Sequence, residues 1–225
     1  MIRGALFDMD GVLIDSEGMG REIFNQLARE RGYEVDDSFF INLLGITDEA
    51  TLTLLQGIWG VDAPCQEIMA GLKQTRIQRA LDGQMPVKTG IVECMQGLKK
   101  RGIRIALATS SPRPLVEQYI ANIPPMQNVF DAMVCGEEAG RSKPAPDIYL
   151  EAARRIGVPI AECVGVEDSL SGMRSLRASG CGSVMIPDLI PCDERFSGLV
   201  DHRLESLHQL CGLIDRLNLK ARVRA

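Results

Sequence analysis

"LFDMDGVLIDS", residues 6–16, closes an apolar run (Ile2, Ala5, Leu6, Phe7) with two carboxylates, Asp8 and Asp10, followed by Gly11. Apolar residues nearly fill positions 2–8, the pattern of a short strand buried on both faces. The Asp and Gly residues after it have two readings. They form a turn, which both residue types favour, or they are paired acids that face a cation or share a proton. Like charges one residue apart repel unless something positive stands between them. The choice depends on what the rest of the chain brings to the same end of that strand.

Four further runs read as strands: "GIRIALATSS" (102–111), "FDAMVC" (130–135), "ECVGVEDS" (162–169) and "CGSVMIP" (181–187). Helical patterns alternate with them at 89–102, 111–123, 145–158 and 171–180. Such alternation predicts an α/β fold, a parallel sheet covered by helices on both faces. Residues 15–85 break the alternation. "EGMGREIFNQLARERG", "EATLTLLQGIWG" and "QEIMAGLKQTRIQRALDG" carry apolar residues at helical spacing with Gly or Pro between them. The expected organisation is a core of residues 1–14 and 86–225 with an all-helical insertion, 15–85.

The 225 residues are 45% hydrophobic and 24% charged, ordinary for a soluble globular protein. A net charge of −5 argues against a nucleic-acid surface, which needs clustered Lys and Arg. No apolar run approaches the ~20 residues that span a bilayer, and the first residues lack the pattern of a signal peptide. Seven scattered cysteines without a CxxC pair read as reduced thiols in a cytoplasmic protein. The two histidines, His202 and His208, sit near the C-terminus and read as surface residues. Their scarcity weakens any Ser-His or Cys-His mechanism. A small-molecule ligand and a monomer are expected.

In a parallel sheet, ligands bind beyond the carboxyl ends of the strands. There the first strand brings Asp8 and Asp10, the second Thr109, Ser110 and Ser111, and another Glu167 and Asp168; "GRSKPAPD" adds Lys143 just before a helix. Each alone has a plain alternative. Glu167 and Asp168 suit a helix N-terminus, Ser111 suits a cap before Pro112, and lysines are mostly solvated. Together they crowd Asp8, Asp10 and Asp168 into one place. A hard divalent cation such as Mg2+ relieves that repulsion. Lys143 and the hydroxyls then make a pocket for a dianion such as phosphate, whose phosphorus a carboxylate can attack.

"DMDGVLIDS", "LATSS", "GRSKPAPDIY" and "VGVEDSLSG" resemble, in order, the four motifs of the haloacid dehalogenase-like superfamily. The resemblance covers nearly the whole chain and implies a Rossmann-like core with a helical cap over 15–85. Its nearest subgroup holds β-phosphoglucomutase, phosphoglycolate phosphatase and sugar-phosphate phosphatases. It implies Asp8 as nucleophile, forming an aspartyl-phosphate, and Asp10 as general acid and then base. It implies phosphoryl contacts from Thr109, Ser110 and Lys143. Mg2+ would lie on Asp8, Asp168 and the Asp10 carbonyl, with Glu167 behind them through water.

The expected function is hydrolysis of a small phosphorylated metabolite, a sugar phosphate; the alternative is a sugar phosphomutase. The mutase cap carries an Arg that grips a second phosphate, after Gly and Ser or Thr. In "LLGITDEA", Gly45, Ile46 and Thr47 are followed by Asp48, the wrong charge for that task. Lys73, Arg76 and Arg79 offer substitutes, or form a solvated helix face. A receiver-type signalling domain also uses an aspartate, a lysine and an acidic pair, but the insertion and Asp10 speak against it. "GEEAGRSK" has the wrong spacing for a P-loop.

Overall fold

The structure, a computed structural model, describes residues 1–34, 36–43 and 47–223, with Asp37 and Ser38 described by backbone alone. The chain divides into two compact units, Met1–Asp15 with Pro86–Ala225, and Ser16–Met85. The elements in chain order begin with β1 (Gly4–Phe7). The second unit follows with α1 (Ser16–Glu30), α2 (Asp37–Ile41), α3 (Asp48–Trp59) and α4 (Cys65–Leu81). The first unit resumes with α5 (Ile91–Lys100), β2 (Arg104–Ala108), α6 (Arg113–Asn122), β3 (Ala132–Val134) and α7 (Asp147–Arg155). It ends with β4 (Cys163–Glu167), α8 (Leu170–Ser179), β5 (Gly182–Met185), β6 (His202–Arg203) and α9 (Leu210–Val223).

The first unit is a Rossmann-like parallel sheet of six strands in the order β3-β2-β1-β4-β5-β6. Every residue of β1 and β4 is buried, as is β2 from Ile105 onward. Burying one Leu or Ile side chain contributes about 1.5–3 kcal/mol, which explains the near-continuous apolar runs. Leu6, Ala106, Val134, Tyr149, Ala152, Met173 and Leu176 share one packed cluster. The sequence order of strands reverses direction at β1, so β2 and β4 flank it. Phe7 is in register with both Leu107 and Val166, and the Asp8 amide donates to Val166 O at 3.0 Å. The first acid therefore emerges level with the ends of both neighbours.

Two details differ from the sequence reading. The helix expected over 111–123 starts at Arg113, and its cap position, Pro112, makes no side-chain hydrogen bond. Ser111 is therefore not the cap that its position suggests. A sixth strand, β6, extends the sheet beyond residue 187. It is two residues long, too short for any periodicity to register. It is held by the Asp201 amide donating to Ser183 O at 3.1 Å and the Leu204 amide to Met185 O at 2.9 Å.

The second unit is all-helical among the described residues. Its α1 packs on α4, and α3 on α4, burying Ile23, Phe24, Leu55 and Ile68. The Phe24 ring lies 5.9 Å from that of Trp59 and 5.8 Å from that of Phe40. Thr47 caps α3 by accepting from the Ala50 amide at 3.2 Å. Gly45 and Ile46 lie outside the described residues. Among the described residues, no helix is long and apolar enough to cross a membrane.

Candidate active site

Asp8 is buried where β1 ends, and its Oδ1 accepts a hydrogen bond from Lys143 Nζ at 2.6 Å. The same ammonium donates to Glu167 Oε1 at 2.7 Å and to the Ala108 carbonyl at 3.2 Å. Its side chain is only 6% exposed, so the plain reading of a solvated lysine is wrong here. Lys143 reaches this seat because the loop before α7 is tied down: Ser175 Oγ on α8 donates to Ala145 O at 2.6 Å.

Asp8, Glu167 and Asp168 each bring a carboxylate oxygen within 4.8 Å of the others. Asp168 belongs to the turn between β4 and α8. Gly11 makes room for it: at its φ of +75°, a Cβ would collide with Asp168 Oδ2. That cradle and the all-oxygen donor set fit a hard divalent cation better than zinc or copper, which favour His and Cys.

The electrostatics match this crowding. Burial, with help from Glu167 and Asp10, lifts the Asp8 carboxyl to about 7 against the pull of Lys143. Burial, then the charges of Glu167, Asp8 and Asp188, hold Asp168 well above the ordinary carboxylate range. Glu167 goes the other way. Burial pushes it up, but the Lys143 charge and hydrogen bonds from Lys143, Tyr149 and Ser169 win, and it stays ionised. Lys143 is penalised by burial, yet Asp8 and Glu167 hold its proton more firmly than usual.

Glu167 is the anchor of this arrangement. Its Oε1 accepts from Lys143 and from Tyr149 Oη, each at 2.7 Å. Its Oε2 accepts from the Asp168 and Ser169 amides at 3.1 Å and from Ser169 Oγ at 3.0 Å. Ser169 Oγ in turn accepts from the Gly172 amide at 3.0 Å, capping α8. The helix-start role considered for Glu167 and Asp168 thus belongs to Ser169.

Thr109 is fully buried, and its Oγ1 accepts from the Ser111 amide at 3.1 Å. Ser110 is exposed. Asp10 is half-buried, and its Oδ2 accepts from Ser111 Oγ at 3.1 Å. Asp8, Asp10, Thr109, Ser110, Lys143, Glu167 and Asp168 all lie on the carboxyl side of the sheet unit.

Sequence reasoning missed Tyr149 and the true partner of Ser111. Tyr149 is fully buried, with its ring centroid 5.0 Å from Lys143 Nζ. Its signal was available: Tyr149, Ala152 and Ala153 share the inward face of α7, and a buried Tyr hydroxyl demands a partner.

In the helical unit, Lys73 pairs with Asp48, and Arg79 with Glu22 at 3.2 Å. A cavity of about 180 Å³ within this unit is lined by Glu17, Asp48, Lys73 and Arg76 along with apolar residues including Phe24 and Phe40.

The family model described as haloacid dehalogenase-like hydrolase matches residues 2–180. Protein CbbY of Cereibacter sphaeroides is 31% identical over 223 residues, 95% of this chain and 96% of that protein. Hexitol phosphatase B of Escherichia coli (strain K12) is 28% identical over 93% of this chain and 94% of its own length. A solved structure of a CbbY mutant from Rhodobacter sphaeroides, in complex with xylulose-(1,5)bisphosphate, aligns with a TM-score of 0.70 at 28% identity. The alignment covers 93% of this chain and 96% of that one.

Proposed function

The chain belongs to the haloacid dehalogenase-like hydrolases, and on that premise we propose that it is a Mg2+-dependent phosphatase. Its substrate in this reading is a small phosphorylated metabolite, a sugar phosphate, handled through an aspartyl-phosphate on Asp8. One observation carries the reading. A single buried ammonium, Lys143, joins Asp8 to Glu167 at 2.6 and 2.7 Å beside a cluster of three carboxylates. A carboxylate can approach an anionic phosphoryl group only where fixed positive charge offsets the repulsion.

The Asp8 and Asp168 carboxylates and the Asp10 carbonyl would hold Mg2+. Bound there, the ion supplies charge compensation for the phosphoryl oxygens. The chain's own groups do the rest. Asp8 attacks phosphorus, the bond to the leaving oxygen breaks, and Asp10 gives that oxygen a proton. Asp10 then takes a proton from a water molecule as its oxygen attacks the aspartyl-phosphate, releasing inorganic phosphate and restoring Asp8. The hydrogen bond from Ser111 Oγ steers the Asp10 carboxyl. Thr109 Oγ1 already accepts from the Ser111 amide, which leaves its own hydrogen to donate to a phosphoryl oxygen. The Ser110 amide is a second donor.

The sugar-phosphate class rests on the relatives: CbbY, solved with xylulose-(1,5)bisphosphate, and hexitol phosphatase B. Hydrolysis is favoured over mutase chemistry because Asp48 stands where a phosphate-gripping Arg would be needed. Its ion pair also engages Lys73, one of the basic residues that could substitute. The test is phosphate release from an aryl phosphate, and from a panel of sugar and polyol phosphates, with Mg2+ present. Chelation by EDTA should stop turnover. Asp8→Asn should lose at least about a thousandfold in kcat while keeping its circular dichroism spectrum. Turnover at the wild-type rate in that variant overturns the nucleophile. Conversion of glucose 1-phosphate to its isomer without free phosphate overturns the hydrolase reading in favour of a mutase.

A further inference from the structure

Four of the seven free cysteines lie in two close pairs, neither among the site residues above. In the first, Cys181 Sγ donates to the Cys163 carbonyl at 3.3 Å, and both residues are buried in the sheet core. In the second, Cys211 on α9 donates to the Cys94 carbonyl on α5 at 3.7 Å. The helices meet closely at that point because α5 has glycine there. A Cβ on Gly97 would lie 2.6 Å from Cys211 Sγ.

The pairs differ in two respects that decide thiol chemistry. The first is access: Cys163, Cys181 and Cys94 are buried, whereas Cys211 is partly open to solvent. The second is thiolate character. Burial pushes the Cys163 thiol up to about 12 and raises Cys181 as well. Within the second pair the interaction of the two sulfurs, with Arg101 nearby, lowers Cys211 against burial and Asp215 and raises Cys94. Arg101 is itself held in place, donating to both Asp215 oxygens at 2.8 and 2.7 Å and to Gly97 O at 2.9 Å. A solvent-accessible thiolate with a second thiol beside it is the arrangement that oxidants attack selectively.

We propose that Cys94 and Cys211 are a modification site, a thiol pair that a hydroperoxide closes into a disulfide tying α5 to α9. The Cys211 thiolate attacks the terminal peroxide oxygen and the O–O bond breaks. The alkoxide or hydroxide leaves with a proton from solvent, and Cys211 becomes a sulfenic acid. The Cys94 sulfur then displaces that hydroxyl, its own proton leaving with it as water. Two thiols and one hydroperoxide become one disulfide, one water and one alcohol or second water. A dithiol reductant reverses the product by exchange. The bridge closes a loop between residues 117 apart, so its main effect is to restrain the unfolded chain.

The experiment treats the full-length reduced protein with hydrogen peroxide and digests it without reductant. The expected result is a linked Cys94–Cys211 peptide lighter by two hydrogens, with the free-thiol count falling from seven by two. Dithiothreitol should restore it, and melting of the oxidised form should rise by about 5–10 °C. Cys211→Ser changes a half-exposed side chain, keeps the fold, and should abolish both the linked peptide and the thermal shift. Overturning results are a Cys163–Cys181 peptide in place of the expected one, or Cys211 passing to sulfinic acid with Cys94 still free. A thermal shift that persists unchanged in Cys211→Ser overturns it as well. None of these readouts depends on hydrolytic activity.

Discussion

One ion pair from each unit makes a contrast in how charge is held. In the sheet unit, the ammonium of Lys143 is 6% exposed and its partners Asp8 and Glu167 are 11% and 0% exposed at their side chains. In the helical unit, Lys73 and Asp48 form their pair with side chains 62% and 68% exposed. Water screens the second pair and is largely excluded from the first. A buried pair gains little over an apolar replacement, but losing one partner strands the other at a cost of several kcal/mol. An exposed pair contributes under about 1 kcal/mol. The Lys143 cluster is therefore sensitive to the loss of any one member, while the Lys73–Asp48 pair tolerates loss with little effect on stability.

The sharpest way to break this contrast is Lys143→Met. It removes the ammonium that Asp8 and Glu167 share. An activity loss of two to three orders of magnitude is expected, with about 3–5 kcal/mol of destabilisation by urea titration. A variant with unchanged stability would mean that the buried charges are not coupled as the distances imply.

Glu138 tests an intermediate case, 20% exposed at its side chain. It accepts from Arg113 Nε and, at 2.6 Å, from Arg155 Nη1. The hydrogen bond from Arg113 in the first place, then Arg155, lowers its carboxyl to about 2 against partial burial. The folded value lies below the ordinary one near 4.5. The stabilisation is therefore complete above about pH 4.5 and is lost as pH falls through about 2. Glu138→Gln should cost about 1–2 kcal/mol at neutral pH. That difference should shrink in urea titrations as pH falls from about 4.5 towards 2.

Tyr149→Phe sharpens the picture inside the site by deleting one hydroxyl and keeping the ring. Glu167 loses one of its donors, so kcat should fall by up to about tenfold, with stability changing by about 1 kcal/mol. Tyr149→Leu also removes the ring face beside Lys143 and should lose more. The smallest effect belongs to the surface pair. A double-mutant cycle of Asp48→Asn and Lys73→Met should return a coupling below about 1 kcal/mol, shrinking further in salt.

Much of this architecture was legible in the chain. Apolar runs at 102–111 and 162–169 are strands because a parallel sheet covered on both faces leaves no polar side to alternate with. The acids at the ends of such runs project from the carboxyl edge by construction. Other features were illegible for definable reasons. A single lysine in a loop carries no periodicity, so nothing local says whether Lys143 is solvated. Ser111 precedes Pro112 as a cap would, yet its hydroxyl finds Asp10, a residue 101 positions away. Strand β6 exists only because Ser183 and Met185 offer it backbone partners.

The amino-acid sequence by itself determined the alternation of strand and helix, the helical character of the insertion and the chemical types gathered at one rim. These follow from short-range rules: side-chain spacing, the permissiveness of glycine and the burial of apolar runs. Only the tertiary structure decided which of those groups meet. Lys143 bonds Asp8 across 135 residues, and Tyr149 seats Glu167 from a helix that the sequence marks only as amphipathic. Contacts of that kind arise from packing, which closes distances that no local pattern encodes.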